Sequence, residues 1–305
     1  MWFESRSVEF VTESAPEWAA FVFAALSYLG SVWFVAPVIA IAFWFGNRHR
    51  FGPWLAIVIG GYAVMVGTKT FFDISRPSVE PAILPESLPT VIALLYIPMV
   101  EVHTTTFPSG HALAAVVVWS MIALEVDWRT LPERLAIAAA MVVLVGLGRI
   151  GVAVHYPGDI VAGAALGILY VGGMLAVWRT VEARTGRHDT TSALLGVAIA
   201  LSLLALALGG GADAAALAGG AVGALFSWRV VPPPALPDWE LAAAAGITVA
   251  GLAVLGAIVA VAVLLDLLVV WLVLGVVGGA LVVGLPRLSA ADGLGDLRSA
   301  RRTTQ

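Results

Sequence analysis

Cysteine is absent from this 305-residue chain, and lysine occurs once, at position 69. Without cysteine there is no disulfide, no zinc-thiolate site and no thiol nucleophile. Charge of either sign is scarce, at 12% of residues, and the net charge is −4. No basic run of the kind that grips nucleic acid is present, so no nucleic-acid partner is expected. No carboxylate-rich stretch suggests a metal site. The first seventeen residues carry four glutamates (Glu4, Glu9, Glu13 and Glu17) and do not read as a cleavable signal peptide. Where lysine is avoided everywhere else, the one retained lysine marks a position of interest.

What the chain has in excess is apolar surface. Hydrophobic residues make up 60% of it and the mean hydropathy is +0.97. Several runs approach the roughly 20 residues needed to cross a bilayer as a helix. The expected fold is therefore all-α, a polytopic transmembrane helical bundle. Residues 1–17 read as an arm or interfacial helix. Spans follow at about 18–46, 53–72, 109–126, 135–151 and 157–178, closed by a polar loop, Arg179 to Thr190. These make a core over 18–190. Four further apolar segments over 191–285 form an extension, read as lipid-facing or oligomerising, with Asp266 marking the last turn, and 286–305 is a polar tail. The connection 73–106 holds five prolines and an apolar middle, Val91 to Val100, too short to span comfortably and so read as a short surface or re-entrant helix.

Arg48, Arg50, Arg129, Arg134, Arg179, Arg184, Arg187, Arg229 and the tail arginines then fall on one side, which the positive-inside rule makes cytoplasmic. The connection 73–106, His111 and His155 fall on the other.

Three polar clusters share that second face. Lys69 is followed seven residues later by Arg76-Pro77, two helical turns or roughly 10 Å along an axis. Pro77 disfavours helix at the preceding residue, which swings Arg76 off the helix end. Pro108-Ser109-Gly110-His111 stands where a Thr-rich loop becomes an apolar helix. A helix start of this kind offers backbone N–H groups and a positive dipole end to an anion. Arg149 lies near the end of an apolar span, where a cation is costly and usually functional. His155 follows, then Asp159 four residues on, across a helix start at Pro157. Taken singly, each is equally well a capped helix, a snorkelling cation or a satisfied histidine. Together, three cations and a helix start suit phosphate, and two histidines, one with a carboxylate, suit covalent phosphoryl transfer with a separate acid. No metal is required by this set and no cofactor is expected.

Lys69-x6-Arg76-Pro77, Pro108-Ser109-Gly110-His111 and Arg149-x5-His155-x3-Asp159 resemble the three ordered motifs of the type 2 phosphatidic acid phosphatase (PAP2) family, over roughly residues 50–180. The resemblance implies a metal-independent membrane phosphatase working through a phosphohistidine. His155 would be the nucleophile, Asp159 its orienting carboxylate and His111 the acid for the leaving oxygen. Lys69, Arg76, Ser109, Gly110 and Arg149 would hold the phosphate. The family's third motif usually begins Ser-Arg, whereas this chain has Gly148-Arg149, which removes one possible hydroxyl contact. The resemblance reaches vanadium-dependent haloperoxidases too, but those are typically soluble. It implies a core of about six helices and a lipid phosphate as substrate: phosphatidic acid, phosphatidylglycerol phosphate, or an isoprenoid phosphate or diphosphate. The site would open at the extracytoplasmic face of the cell membrane. A lipid phosphotransferase with the same intermediate, and a non-catalytic lipid-phosphate binding or transport protein, remain alternatives. Oligomeric state is not readable.

Overall fold

The computed structural model describes residues 3–185, 187–230, 241–265 and 267–288. Sequence readings that fall on Trp2, on the Pro-rich stretch from 231 to Glu240, on Asp266 and on Arg298, Arg301 and Arg302 lie outside them. The described residues form helices α1 (Ser5–Ser14), α2 (Ala19–Tyr28), α3 (Val32–Phe45), α4 (Arg48–Phe72), α5 (Thr90–Val100), α6 (Gly110–Glu125), α7 (Leu131–Gly151), α8 (Pro157–Thr185), α9 (Arg187–Ala207), α10 (Gly211–Val230), α11 (Leu241–Leu265) and α12 (Leu268–Leu288). Among the described residues, six helical stretches are long and apolar enough to cross a membrane: 19–45, α4, α7, α8, 190–207 and 248–265. The bundle is all-α and polytopic, as expected.

Helix α6 is the hub. Ala112 to Val118 are buried on every side, against α3, α4, α7 and α8. At 16 residues it is about 24 Å long, shorter than the roughly 30 Å hydrocarbon core. Its first turn begins inside the protein rather than at its surface, with Ser109 and Gly110 both buried. Non-helical backbone at such a place is tolerated where protein surrounds it or a cavity borders it.

Glycines set how closely the neighbours of α6 approach it. A Cβ on Gly163 would overlap the Ser109 carbonyl oxygen, and one on Gly167 would lie 2.9 Å from Val116 Cβ and 3.2 Å from the Leu113 carbonyl oxygen. These two glycines, one turn apart, let α8 lie against the α6 backbone, and the Ser109 N–H donates to the Asp159 carbonyl oxygen at 3.0 Å. The expected first span is present over 19–45 and is made of two helices, α2 and α3, that meet at a break over Leu29–Ser31. Gly30 is pressed against the His111 carbonyl oxygen there, and Trp119 Nε1 donates to the Leu29 carbonyl oxygen at 3.2 Å.

Opposite the α6 start, the arginines tie the other end of the bundle together. Asn47 caps α4 by accepting from the His49 and Arg50 N–H groups at 3.0 and 3.2 Å. Arg50 pairs with Glu125, which also accepts from Trp54 Nε1 at 2.8 Å, and Arg134 pairs with Asp127 at 2.8 Å. The Arg48 guanidinium lies 4.2 Å over the Trp228 ring. Several boundaries differ from the sequence reading, and α4 starts at Arg48 rather than at 53. Helix α8 runs on to Thr185, replacing most of the expected polar loop with helix, and α7 starts at Leu131, inside the expected loop, where Glu133 accepts from the Thr130 N–H at 3.0 Å.

The C-terminal helices are not one kind of surface. Helices α9 and α10 pack on α4, with Leu194, Leu195, Ala198, Ala214 and Ala215 buried, which departs from a wholly lipid-facing extension. Helix α11 matches it better, since 6% of its apolar window is buried. Gly219 and Gly223 of α10 meet the α12 backbone, as Gly275 and Gly279 of α12 meet that of α10. Small residues four apart are the usual device for such close crossing in lipid.

Gly163→Ala is expected to cost about 1–3 kcal/mol through overpacking against α6. Gly172→Ala on the same helix, where a Cβ meets nothing within 4 Å, is expected to leave stability unchanged or slightly raised. Thermal unfolding of both purified variants in detergent checks the contrast.

Candidate active site

The polar groups at the α6 start converge on one cavity of about 530 Å³. Lys69, Arg76, Gly110, His111, Arg149 and His155 all line it. Ser109 and Asp159 do not; both are fully buried behind its wall. Three separate chain segments are thus brought together: the end of α4, the start of α6 and the turn joining α7 to α8.

Each cation is held by backbone carbonyls. Lys69 Nζ donates to the Thr105 carbonyl oxygen and, at 3.4 Å, to that of Thr106. Arg76 stands off the helix end. Its Nε donates to the Thr104 carbonyl oxygen and its Nη1 to that of Val154, both at 2.6 Å, and its Nη2 to that of Thr105 at 3.2 Å. Burial pulls Arg76 down to about 10, which leaves it a full cation at neutral pH. Arg149 is 0% exposed, and only Nη1 has a partner, the Met99 carbonyl oxygen at 2.9 Å. Its Nε and Nη2 are buried with no hydrogen-bond partner among the described residues, as is His111 Nε2. A buried guanidinium with two unused donors is expensive unless an anion takes them.

His155 is carried by a tight turn after α7 in which Ala153 adopts a left-handed conformation (φ 61°), a geometry unfavourable for a side chain with a Cβ. Its Nδ1 lies 3.2 Å from Asp159 Oδ2 and 3.0 Å from Thr106 Oγ1. Thr106 Oγ1 donates to the same Asp159 oxygen, which also accepts from the Tyr156 N–H at 2.8 Å. With Nδ1 facing a carboxylate, the ring proton belongs on Nδ1 and the Nε2 lone pair is left toward the cavity, 3.5 Å from Arg76 Nη1. Burial, then the charges of Arg149, Arg76 and Lys69, hold His155 well below the ordinary histidine range. Both causes favour the uncharged form of the ring.

Two details differ from the sequence reading. The first concerns the α6 start as an anion site. The Ser109 N–H is used by Asp159, and the Ser109 hydroxyl caps the helix by accepting from the Ala112 N–H at 3.4 Å. The second concerns Gly148. A Cβ there would lie 2.7 Å from the Phe23 carbonyl oxygen and 3.0 Å from the Ser27 nitrogen, so the position faces α2. Its glycine serves helix packing, and no hydroxyl contact to the cavity is lost on its account.

Thr106 is the residue that sequence reasoning passed over. It is 0% exposed and its hydroxyl joins His155 to Asp159. The signal was present as a run of three threonines, Thr104 to Thr106, just ahead of the Pro-Ser-Gly-His motif, but nothing in that run says which hydroxyl turns inward.

Three comparisons with known proteins find similar chains. Phosphatidylglycerophosphatase B of Bacillus subtilis (strain 168) is 25% identical over 162 residues, which is 50% of this chain and 71% of that protein. The crystal structure of Aquifex aeolicus LpxE superposes with a TM-score of 0.44 at 21% identity, over 56% of this chain and 93% of that one. Residues 50–185 match the PAP2 superfamily, a stretch that holds all three motifs and every candidate site residue. Over residues 50–185, a little under half of its length, the chain is similar to the PAP2 superfamily.

Proposed function

We propose that this PAP2-type lipid phosphatase hydrolyses the phosphoric ester of a membrane lipid by double displacement at His155. One observation carries the reading: an imidazole with its Nδ1 turned to Asp159 and Thr106 presents Nε2 to a cavity lined by three cations. Lys69, Arg76 and Arg149 hold the phosphate oxygens, with the two unpartnered donors of Arg149 and the Gly110 end of α6 completing the cradle. Ser109 contributes indirectly, by capping α6.

In the first step the Nε2 lone pair attacks phosphorus, the bond from phosphorus to the ester oxygen breaks, and His111, which takes up its proton when the phosphate brings negative charge beside it, gives that proton to the leaving alkoxide. Asp159 stabilises the positive charge that develops on the His155 ring. In the second step neutral His111 takes a proton from water as the water oxygen attacks phosphorus. The phosphorus–nitrogen bond then breaks and inorganic phosphate departs, which restores both histidines. Positioning and charge neutralisation, both supplied by this chain's own cations, are the larger part of such a reaction. Phosphatidylglycerophosphatase B, the B. subtilis relative, supports a lipid phosphate as substrate. The charge distribution supports an extracytoplasmic site in the cell membrane, since the arginine-tied end lies at the opposite end of the bundle.

Purified protein is expected to release phosphate from a lipid phosphomonoester with EDTA present, and His155→Ala to lower the rate by about 10³-fold or more. Release that stops with EDTA, or survives in the variant, would overturn the phosphohistidine route.

Thr106→Val removes the hydroxyl that joins His155 to Asp159 while keeping its shape. A loss of about 10–100-fold in kcat is expected, as for other residues that orient a reacting histidine. Thr106→Ser is expected to recover most of it, and a merely steric role would reverse that order.

The absence of cysteine makes topology directly measurable. A single cysteine at Glu101 is expected to react with an impermeant maleimide added outside intact cells, and one at Arg129 only after the membrane is opened.

A further inference from the structure

Beside the cavity, and lining no part of it, four aromatic rings stand in series. Tyr156 meets Phe3 with ring centroids 6.2 Å apart, Phe3 meets Phe107 at 5.9 Å, and Phe107 meets Phe72 at 5.0 Å. Three of the rings belong to segments that build the site. Tyr156 follows His155, Phe107 stands between Thr106 and the Pro-Ser-Gly-His turn, and Phe72 ends α4, three residues after Lys69. Phe3 comes from elsewhere, ahead of α1 and outside the stretch that matches the superfamily.

Its place is set by packing. Helix α1 lies on α7 with Val8 0% exposed, while Phe10 on its outer side is 71% exposed. The edge of the Phe3 ring rests over Gly158, in the first turn of α8. A Cβ on that glycine would lie 2.6, 2.8 and 3.0 Å from Phe3 Cζ, Cε1 and Cε2. Inside the site, Thr106 Oγ1 meets His155 Nδ1 and the Ser109 N–H meets the Asp159 carbonyl oxygen, so hydrogen bonds already join the two turns. Hydrogen bonds at one side leave two turns free to pivot about them. A ring in contact with the next residue of each, Phe107 and Tyr156, removes that freedom, since aromatic pairs have preferred geometries.

Resting on the phosphatase reading, we propose that Phe3 is a positioning residue of the reaction. Its ring holds the turn of Thr106 and the turn of His155 at one separation, and thereby fixes Nε2 relative to a phosphate held by the cations. Charge attraction falls off gently with distance, so phosphate binding tolerates a small shift of the turns. Attack in line with the leaving oxygen does not, and a displacement of about 1 Å costs up to about 100-fold in rate. Loss of the ring is therefore read in kcat rather than in KM.

The test measures kcat and KM of the full-length protein in detergent on phosphatidic acid, phosphatidylglycerol phosphate and undecaprenyl phosphate. On whichever lipid wild type hydrolyses, Phe3→Ala is expected to lower kcat about ten-fold at an unchanged melting temperature, with KM changed by less than about two-fold. Gly158→Ala, whose methyl displaces the ring edge, is expected to lower kcat similarly in the wild-type chain. It adds little to Phe3→Ala, where the seat is vacant, a coupling that independent structural losses do not give. Phe10→Ala is expected to keep the wild-type kcat. An unchanged kcat in Phe3→Ala, a loss carried by KM alone, a loss that follows a lowered melting temperature, or additive losses in the double variant would overturn the positioning role while leaving the phosphatase reading intact. No phosphate release by wild type from any of the three lipids would overturn that reading and the positioning role with it.

Discussion

A guanidinium buried with two of its donors unused is the constraint on which this structure turns. Arg149 is 0% exposed, its one partner among the described residues is a backbone carbonyl, and two further cations stand around the same cavity. Such a cluster is unfavourable in a low-dielectric interior, and the fold maintains it by enclosing it in packed helix rather than by pairing each charge with a carboxylate. Backbone carbonyls of Thr104, Thr105, Met99 and Val154 take the donors. Carbonyl dipoles satisfy hydrogen bonds without cancelling charge, so the positive potential remains available to an anion.

Keeping those segments in register demands close helix crossings. Gly163 and Gly167 allow α8 to lie on the α6 backbone, Gly148 allows α7 to lie on α2, and Gly30 breaks the first span so that it clears His111. None of these glycines touches the cavity. Their effect is to place the Pro-Ser-Gly-His turn against the His-Tyr-Pro-Gly-Asp turn, joined by the bond from Ser109 to Asp159. Because interiors are close-packed, an added methyl at such a crossing moves whole helices and, with them, the reacting groups.

The helices after the superfamily match are part of the same arrangement. Through α9 and α10 they cover α4, and through the turn at Gly209–Asp213 they close one side of the cavity. The stretch that matches the superfamily is thereby joined at the cavity by a wall from helices that lie beyond it.

By itself the sequence determined the membrane character, the all-α class, most spans and the ordered motifs. These rest on local quantities: run length, hydropathy, proline and glycine placement, and residue spacing. Lys69, Arg76, His111, Arg149 and His155 were all legible in this way, because ionisable residues stand out against an apolar background. What only the tertiary structure decided depends on which groups meet across the bundle. Thr106 bridging His155 and Asp159, Ser109 spent on a cap, Gly148 facing α2, and Asp213 reaching the cavity from 54 residues beyond Asp159 all have this origin. Spacing along a chain says what one helix face carries. The contacts between faces are set by helix crossings, and those depend on packing summed over the whole bundle.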